Sequence, residues 1–477
     1  MNYQECLNYL YTQLPMFQRI GAAAYKADLK NIQALCEILQ HPEKKLKFIH
    51  IAGTNGKGSV SNMLAAVFQK NGYKTGLFTS PHLIDFRERI RIDGKMIPKQ
   101  YITHFVNKYK SAFDNIKPSF FEWTTALAFQ YFYDKKVDIV ILETGMGGRL
   151  DSTNVVLPEL SIITNIGEDH KQFLGDTLQK IAFEKAGIIK EYVPVLISEF
   201  QKEVYDVFVN VAKERNAPLI YSKDIIKITG KEFKSDFLRI SFKINYTNLN
   251  LFLDKLKFNY KINKNNKLDK SKNKISNNKK NNLSKSKKNT FTVLSSLIGT
   301  YQVNNIQCVL AACEILSNLG WNLNRKDIFL GIKYTPKLTG FSGRWEVIQK
   351  RPYIIADIGH NKPGIQQTLK NLKNYSYQTL RIVFGVVNDK EVDEILALLP
   401  KNAVYYITQA SVPRAMPVNI LYEKMIKNKF KGLPHSTVAE AIYKAQKDAN
   451  KNDLILITGS AFVVADAIAY LQKKKII

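Results

Sequence analysis

The sequence predicts an α/β protein with two domains, each built around a mainly parallel sheet. Short apolar runs alternate with helical patterns through the first two hundred residues, and a second alternating series follows a lysine-rich stretch at 261–290. The chain has 477 residues, which is about twice the size at which a single hydrophobic core stops growing. We therefore expect an N-terminal domain with a doubly wound sheet over 1–295 and a smaller C-terminal α/β domain over 296–477.

The N-terminal series begins with a strand, a glycine-rich turn and a helix. After Lys57, apolar residues recur at the spacing of one helix face, and Gly72 ends this pattern. Two central strand candidates are continuous apolar runs, which is typical of strands that are covered on both faces. The predicted strands are 47–52, 75–79, 137–142, 160–164 and 193–197 in the first domain, and 353–356, 380–386, 403–407 and 453–458 after a helix at 304–320 in the second.

A large part of the net charge of +29 lies in the lysine-rich stretch. Between Lys255 and Thr290, thirteen lysines stand against one acid, Asp269. Lysine, asparagine and serine dominate this region, so we expect a disordered basic insertion at about 261–290. A nucleic-acid-binding tail is the alternative, but no arginine or aromatic residue interrupts the insertion to stack on bases. We therefore expect no nucleic-acid partner.

Composition also predicts where the protein resides. No apolar run approaches the roughly 18 residues that a bilayer requires, and the first residues are too polar for a signal peptide. Cys6, Cys36, Cys308 and Cys313 have neither C-x-x-C nor zinc-finger spacing, and we interpret them as buried apolar residues. These observations predict a cytoplasmic protein without a membrane partner, and we expect a monomer.

The turn after the first strand reads GTNGKGS at 53–59. A strand, three glycines, a lysine and a helix start are the parts of a phosphate cradle, in which backbone N–H groups face the anion. The spelling departs from G-x-x-x-x-G-K-[ST], because Ile51 stands at the first glycine position and Gly58 follows Lys57, with the hydroxyl delayed to Ser59. Glycine-rich turns are common between strands and helices, so the loop alone leaves both a nucleotide site and a structural turn open.

Polar residues follow other strands of the same predicted sheet. Glu143 comes directly after its strand, Ser80 ends another, and His170 lies a few residues beyond a third. Each has an ordinary explanation as a cap or a surface residue. Because the carboxyl ends of parallel strands share one sheet edge, the three together indicate a Mg²⁺ site beside bound phosphates.

Twelve short motifs cover nearly the whole chain outside the basic insertion. They are GTNGKGS (53–59), TSPHL (79–83), FRERIRIDG (86–94), ETGMGGRLDSTN (143–154), EDH (168–170), FEKAGIIK (183–190), GTYQVNN (299–305), GRWEV (343–347), DIGHN (357–361), NDK (388–390), VPRA (412–415) and TGS (458–460). Their order and spacing resemble the folylpolyglutamate synthase and dihydrofolate synthase family of the Mur ligase superfamily. The resemblance implies a P-loop-type Mur ligase central domain followed by a Rossmann-like Mur ligase C-terminal domain.

The resemblance also implies an ATP-dependent ligase that forms amide bonds with L-glutamate. The implied substrates are dihydropteroate, reduced folates, L-glutamate and ATP, so both dihydrofolate synthase and folylpolyglutamate synthase activity are expected. ATP would phosphorylate the acid, and the amine would then expel phosphate from the acyl phosphate. This chemistry requires mainly positioning and neutralisation of charge, which two Mg²⁺ ions and the phosphate loop would supply.

The family's functional residues are carried over by motif. The resemblance implies metal ligands at Ser80, Glu143 and His170, with Lys185 as a carbamate that supports the second ion. It implies nucleotide contacts at Asn55, Gly56, Lys57, Gly58, Ser59, Asn305, Arg344 and Asp357, and catalytic roles for Lys57, His170, Lys185 and His360. It implies pterin contacts at Gly21, Ala22, Ser119, Phe120, Phe121, Glu122, Leu150, Asp151 and Ser152.

Without the resemblance, several of these residues have plainer interpretations. Lys185 would be an ordinary helix lysine, and Phe120 with Phe121 would be a pair of core residues. Two other functions stay open at this point: a cell-wall UDP-sugar peptide ligase of the same superfamily, and a basic P-loop ATPase that acts on RNA. The spellings SPHL, RIRIDG and GGRLDSTN favour the folate type over the first of these.

Overall fold

The computed structural model describes residues 1–16, 28–168, 170–234, 237–265, 289–388 and 392–474. Gly21, Ala22 and Asp169 lie outside the described residues, as do most of the basic insertion and part of the NDK motif. The disorder expected at 261–290 therefore stays a prediction for 266–288. Its first residues, 261–265, are helical, and a strand begins at Thr290.

The N-terminal unit is built on one large sheet, to which the described residues contribute eight strands. These are β1 (Phe48–Ala52), β2 (Thr75–Phe78), β3 (Ile90–Ile92), β4 (Lys95–Met96), β5 (Ile139–Glu143), β6 (Leu160–Ile163), β7 (Val195–Ile197) and β8 (Leu219–Tyr221). Their order is β4-β3-β2-β5-β1-β6-β7-β8, and the run from β2 to β8 is parallel. β3 and β4 form an antiparallel hairpin at one edge. The five strands predicted for this domain are confirmed.

Helices cover both faces of this sheet, as the doubly wound prediction requires. They are α1 (Tyr3–Asn8), α2 (Lys30–Ile38), α3 (Lys57–Lys70), α4 (Lys99–Asp114), α5 (Phe120–Asp134), α6 (Lys171–Leu174), α7 (Leu178–Ala186), α8 (Tyr205–Glu214), α9 (Ser222–Ile225) and α10 (Tyr246–Asn265). The strands β1, β5 and β6 are buried along their whole length. This burial on both faces is the reason why they read as continuous apolar runs.

A small antiparallel sheet follows the large one and was not predicted. Its strands are β9 (Ile226–Phe233), β10 (Leu238–Ile244) and β11 (Thr290–Ser295), paired in the order β11-β10-β9. Buried and exposed residues alternate along β10, so its inner face packs into the main hydrophobic core. The basic insertion thus connects α10 to the edge strand β11.

Three helices after β11 pack against the helix that follows the phosphate loop. They are α11 (Gln302–Asn318), α12 (Arg325–Lys333) and α13 (Thr335–Thr339), and all three contact α3. Residues 59–68 of α3 are consequently buried without interruption, although the sequence predicted one apolar face. Residues 302–339 therefore pack on the N-terminal unit, and the domain division expected after residue 295 stays a prediction.

The C-terminal unit has a second sheet, with six strands in the described residues. These are β12 (Glu346–Lys350), β13 (Tyr353–Ala356), β14 (Leu380–Phe384), β15 (Val404–Ile407), β16 (Lys431–Pro434) and β17 (Leu454–Thr458). The order is β12-β13-β17-β14-β15-β16, and only β12 pairs antiparallel among the described strands. The flanking helices are α14 (Lys362–Leu372), α15 (Val392–Leu398), α16 (Val418–Lys427), α17 (Val438–Asp448) and α18 (Ala461–Lys473). The four strands predicted here are confirmed.

Two further expectations concern the whole chain. All four cysteines lie in described regions, and each is buried and free, as interpreted from the sequence. Among the described residues, no helix combines the length and the apolar character that crossing a membrane requires.

Candidate active site

The phosphate loop connects β1 to α3, and its backbone depends on glycine. Gly53 and Gly56 have φ angles of 143° and 91°, which side chains disfavour. A Cβ on Gly56 would also lie 2.6 Å from Asn305 Oδ1. Neighbouring strand ends hold the loop, because Thr164 Oγ1 donates to the Asn55 carbonyl at 2.7 Å. The sequence and its fold therefore fix a turn with little room beside it.

Two lysines direct their ammonium groups at the base of this loop. Lys57 Nζ donates to the carbonyls of Gly53 and Thr54 at 2.8 and 3.2 Å. Lys185 Nζ, from α7, donates to the same Gly53 carbonyl at 2.9 Å. Lys185 is only 3% exposed, and a lysine is rarely buried without a specific reason. The structure thus places Lys185 at the loop, which no pattern in the sequence indicated apart from the family resemblance.

The Ser59 hydroxyl, which comes one position later than in the usual phosphate loop, has a hydrogen-bond partner in α11. Ser59 is 2% exposed, and its Oγ accepts a hydrogen bond from Gln302 Nε2 at 3.1 Å. Gln302 Oε1 accepts in turn from Asn305 Nδ2 at 2.9 Å. The unusual spelling of the loop therefore fits its neighbour α11, whose first turn is bonded to the phosphate loop.

Glu143 ends β5 and lies between the phosphate loop and the loop after β2. It is 3% exposed, and its Oε2 accepts from the Ser80 backbone N–H at 3.2 Å. A Cβ on Gly58 would stand 3.8 Å from both Glu143 carboxylate oxygens. Burial raises the pKa of Glu143 to about 7, against the opposing effects of Lys57, the Ser80 N–H, Arg344 and Arg89. Cationic side chains of both units therefore act on one carboxylate.

The remaining predicted metal ligand is His170. It is half-buried and precedes α6, where its carbonyl accepts from the Phe173 and Leu174 backbone N–H groups at 2.9 and 3.0 Å. No group of three or more His, Cys, Asp or Glu side chains suited to a metal exists among the described residues. The place of His170 in a metal site stays a prediction.

The C-terminal unit contributes the loop of Arg344 and the turn of His360. Between them lies Asp357, which accepts four hydrogen bonds. Its Oδ2 accepts from the Trp345 N–H and the Tyr301 hydroxyl at 2.8 and 2.9 Å, and its Oδ1 accepts from the Gly359 N–H and the Thr368 hydroxyl at 3.0 and 2.6 Å. His360 Nδ1 lies 2.9 Å from the Ile358 carbonyl, so Nδ1 carries a proton. Asp357 therefore organises both neighbouring segments.

A cavity of about 570 Å³ lies between the two units. Predicted nucleotide residues from both units line it, namely Asn55, Gly56, Ser59, Asn305, Arg344, Asp357 and the nearby His360. Lys57 and Gly58 are not among its lining residues and lie on the Glu143 side of the loop. Sequence reasoning missed other lining residues, which are Thr164, Asn165, Glu199, Gln201, residues 228–231 of β9, Tyr301 and Gln367. They come from strands, loops and helices that are distant in sequence, so only the tertiary fold brings them together.

The predicted pterin residues surround the start of α5 and the loop after β5. Ser119 and Glu122 form a capping box, with hydrogen bonds of 2.6 and 3.2 Å between each backbone N–H and the other side chain. The Phe121 ring packs on the Gly145 backbone, where a Cβ would stand 2.5 Å from the ring. Phe120 is 3% exposed and stacks on Tyr11 with ring centroids 5.7 Å apart. Phe121 thus packs on the loop that follows Glu143, and Phe120 packs on Tyr11.

The loop after β5 is held by a buried acid. Asp151 Oδ2 accepts from the Met146 N–H at 2.8 Å, and its Oδ1 accepts from the Thr153 N–H and hydroxyl at 3.0 and 2.5 Å. Ser152 is buried beside it, and Leu150 is half-buried. These contacts give Asp151 a role in loop geometry, and its predicted contact with a pterin stays a prediction.

Two family models match the chain. The Mur ligase middle domain matches residues 51–247, and the glutamate ligase domain of Mur ligases matches residues 343–461. The second match begins in the loop that precedes β12. This position agrees with the packing of 302–339 on the N-terminal unit.

Proteins with the same arrangement are similar over nearly their whole length. The dihydrofolate synthase/folylpolyglutamate synthase of Bacillus subtilis (strain 168) is 32% identical over 455 residues, which cover 92% of this chain and 94% of that protein. The crystal structure of folylpolyglutamate synthase from Thermotoga maritima has 29% identity and a TM-score of 0.74, and covers 100% of this chain and 98% of its own. Folylpolyglutamate synthase of Mycobacterium tuberculosis, complexed with ADP and AMPPCP, has 25% identity and a TM-score of 0.77 over 98% of each chain.

Proposed function

The chain belongs to the dihydrofolate synthase/folylpolyglutamate synthase family of Mur ligases, and we propose that it joins L-glutamate to the carboxylate of a pterin-bearing acid with ATP. The observation that carries this proposal is the setting of Glu143. This carboxylate lies between the phosphate loop and Ser80, while Lys57 of one unit and Arg344 of the other both lower its pKa. Such a centre suits the transfer of a phosphoryl group between two anions.

The reaction needs an activated acid, because a carboxylate oxygen is a poor leaving group. Transfer of the terminal phosphoryl group of ATP to the substrate carboxylate gives an acyl phosphate. The glutamate amine then forms a bond to the carbonyl carbon, and phosphate leaves with the electron pair. The protein's main contributions are position and positive charge. Lys57 and Arg344 supply the charge, and closure of the two units around the cavity would exclude water from the acyl phosphate.

The residues around Glu143 fit a bound Mg²⁺ ion. A buried carboxylate and the neighbouring Ser80 hydroxyl are hard oxygen ligands of the kind that Mg²⁺ prefers, and this ion usually keeps water and phosphate oxygens as further ligands. The raised pKa of Glu143 points the same way, because a cation beside it would favour the ionised carboxylate. Bound Mg²⁺ would neutralise charge on the phosphate groups. A second ion, held with help from His170, is the finer part of this proposal.

Carbamylation of Lys185 is a further part of the proposal. Addition of CO₂ to the neutral amine forms an N–C bond, releases a proton and replaces a positive charge with a negative one. The buried position of Lys185 Nζ, 2.9 Å from the Gly53 carbonyl, would place the new carboxylate beside the phosphate loop. The carbamate is lost in acid, so the intact protein should weigh 44 Da more by native mass spectrometry than by denaturing mass spectrometry, and Lys185→Ala should not show this difference. Equal native and denatured masses in bicarbonate buffer would contradict it.

The aromatic pair at the start of α5 supports a flat acid as substrate. The Phe121 ring packs on Gly145, in the loop that follows Glu143, and Phe120 stacks on Tyr11 outside the residues that line the nucleotide cavity. Aromatic rings of this kind stack well with pteridine and benzoyl groups. We propose dihydropteroate as the first acceptor and reduced folates as acceptors of further glutamates.

Product analysis tests the function directly. The protein is incubated with ATP, Mg²⁺, L-glutamate and either dihydropteroate or tetrahydrofolate, and products are separated and weighed by mass spectrometry. We expect one glutamyl residue added to dihydropteroate, one or more added to tetrahydrofolate, and one ADP formed per bond. If neither acid yields a glutamylated product or ADP above background, the proposed function fails.

The basic insertion offers a test against a nucleic-acid function. We expect that replacing residues 266–288 with a short Gly/Ser linker leaves ligase turnover within about twofold. The reason is that the pairing of β11 with β10 begins at Thr290, after the replaced segment. An ATPase that acts on RNA would instead lose nucleic-acid-stimulated hydrolysis. The cytoplasmic location and monomeric state expected from the sequence stay predictions.

A further inference from the structure

Arg89 lies beside the active site and has no role in the function described so far. It ends the 3₁₀ turn Phe86–Arg89 before β3 and is 3% exposed. Its Nε donates to His82 Nδ1 at 2.7 Å, and its carbonyl accepts from the Thr79 N–H at 3.1 Å. These contacts fix the guanidinium next to the loop that contains Ser80.

The charge of Arg89 is not matched by a carboxylate. Among the described residues, no acidic side chain lies within 4 Å of it, whereas Arg87 has Asp85 at 2.6 Å and the half-buried Arg381 has Asp453 at 3.0 Å. His82 Nδ1 accepts the hydrogen bond of Arg89 and therefore bears no proton, so the imidazole carries no positive charge. The hydrogen-bond partner of Arg89 is therefore neutral.

A buried cation without a counter-ion is unfavourable in the protein alone. Removing a guanidinium from water costs free energy that a neutral imidazole repays only in part. Burial lowers the pKa of Arg89 to about 10, which reflects the same cost. Unbalanced charges of this kind are typical of sites that bind a ligand of opposite charge.

The surroundings indicate which anion would bind. The guanidinium carbon lies 5.2 Å from the centroid of the Phe120 ring, whose other neighbours include Tyr11 and Phe86. Tyr11, Glu88 and Glu143, in this order, partly offset the effect of burial on the pKa of Arg89, and neither acid forms an ion pair with it among the described residues. Arg89 thus contacts the aromatic cluster around Phe120 and also feels the charge of Glu143. A flat acid that packs on the Phe120 ring would therefore have its carboxylate near Arg89.

We propose that the Arg89 guanidinium binds the carboxylate of the pterin-bearing acid and holds it at the point where it is phosphorylated. The inference rests on the proposed function and adds the residue that recognises the reacting group. A guanidinium presents N–H donors in a planar fork that matches both oxygens of a carboxylate, which an ammonium group does not. The carboxylates of L-glutamate are the alternative anions. They are disfavoured because L-glutamate has no flat ring that would pack on the Phe120 side chain.

The test compares two ligands that differ only in charge. Dissociation constants of dihydropteroate and its primary carboxamide are measured by calorimetry without ATP, for the wild type and for Arg89→Gln. We expect Arg89→Gln to weaken binding of the acid by roughly tenfold to a hundredfold and to leave the carboxamide within about twofold. Arg87→Gln is the matched control, because Arg87 already has Asp85, and it should bind both ligands as the wild type does.

Several results would overturn the proposal. Equal weakening of acid and carboxamide by Arg89→Gln would indicate a structural role, and a raised KM for L-glutamate with an unchanged KM for dihydropteroate would assign the guanidinium to the amino acid. If Arg89→Gln does not fold, the wild type still decides, because equal affinity for acid and carboxamide contradicts the proposal. If the wild type has ligase activity, any of these results contradicts only the role of Arg89. If the wild type forms no product, the proposed function itself is contradicted.

Discussion

Glu143 and Asp357 occupy equivalent places in the two units and differ in their partners. Each acid stands at the carboxyl end of a parallel strand, β5 or β13, and each is 3% exposed. The described contacts give Glu143 one hydrogen-bond donor, the Ser80 N–H, whereas Asp357 has four. A carboxylate short of partners is available to a ligand, and one with four donors organises protein.

This difference suggests separate roles for the two units. Glu143 faces the phosphate loop and the charge of Lys57, which supports the proposal that phosphoryl transfer takes place on the N-terminal unit. Asp357 binds the segment of Arg344 through Trp345 and the turn of His360 through Gly359. The family resemblance implies a nucleotide contact at Asp357, which does line the cavity, and this contact stays a prediction beside the four hydrogen bonds that hold the neighbouring segments.

The largest expected effect is the loss of turnover in Glu143→Ala. We expect kcat to fall by about two to three orders of magnitude, since groups that stabilise charge in the transition state contribute on that scale. Thermal stability at neutral pH should not fall, because the side chain has a single hydrogen-bond donor to lose and its ionised form is unfavourable when buried. Steady-state ADP formation and calorimetric Tm measure the two quantities. A large loss of Tm with near-normal kcat would reverse the distinction between the two acids.

Asp357→Ala should show the opposite balance. Its removal leaves the Trp345 and Gly359 N–H groups and the Tyr301 hydroxyl without this acceptor, whereas the Thr368 hydroxyl keeps the Gly364 carbonyl. We expect the free energy of unfolding to fall by about 3 to 5 kcal/mol. Thr368→Val, which removes one of the four donors, is the graded control and should cost about 1 kcal/mol. Urea unfolding gives both values. Unchanged stability in Asp357→Ala would mean that these hydrogen bonds do not organise the unit.

The pH dependence of stability should report Glu143 in metal-free protein. Its pKa is about 7 when folded and about 4.5 ordinarily, so the folded state binds the proton more tightly. The free energy of unfolding should therefore fall as pH rises from about 4.5 to about 7, by an amount on the order of 3 kcal/mol, and stay level above that. Urea unfolding in EDTA, compared with Glu143→Gln, isolates this contribution. A difference between the two proteins that does not vary across this pH range would contradict it.

Tyr301→Phe should have the smallest effect and should act through Asp357. It removes one of four donors, so we expect a loss of about 1 kcal/mol in stability and a severalfold rise in KM for ATP, because the Arg344 segment is less firmly held. Tyr405→Phe is the matched control: it loses a hydrogen bond to the Pro400 carbonyl and should reduce stability without changing KM. Equal KM values in the two variants would separate Tyr301 from the nucleotide site.

Much of the fold could be predicted, because its strands carry strong local patterns. The apolar runs that became β1, β5 and β6 are buried on both faces, so burial and sequence agree. The stretch LRISFKI, which forms β10, alternates apolar and polar residues and could have been predicted by its period of two. The packing of α11–α13 on α3 could not be predicted, because it joins segments that are distant in sequence.

The site was predictable only in its parts. Glu143 and the phosphate loop follow strands directly, so the edge of a parallel sheet places them near one another. Lys185 and Arg89 belong to no local pattern, since a single charged residue reads the same whether it is exposed or buried. Their positions in the site follow from contacts with groups that are distant in sequence. Lys185 contacts the Gly53 carbonyl, and Arg89 lies over the Phe120 ring.

By itself, the sequence determined two α/β units, the glycine-rich turn that opens α3 and the polar residues at strand ends, because hydrophobic periodicity and glycine act over a few residues. The tertiary structure decided which buried charges are satisfied and which are left for a ligand. That decision depends on partners supplied by other strands and by the other unit, and the cost of burying a charge is set by everything around it.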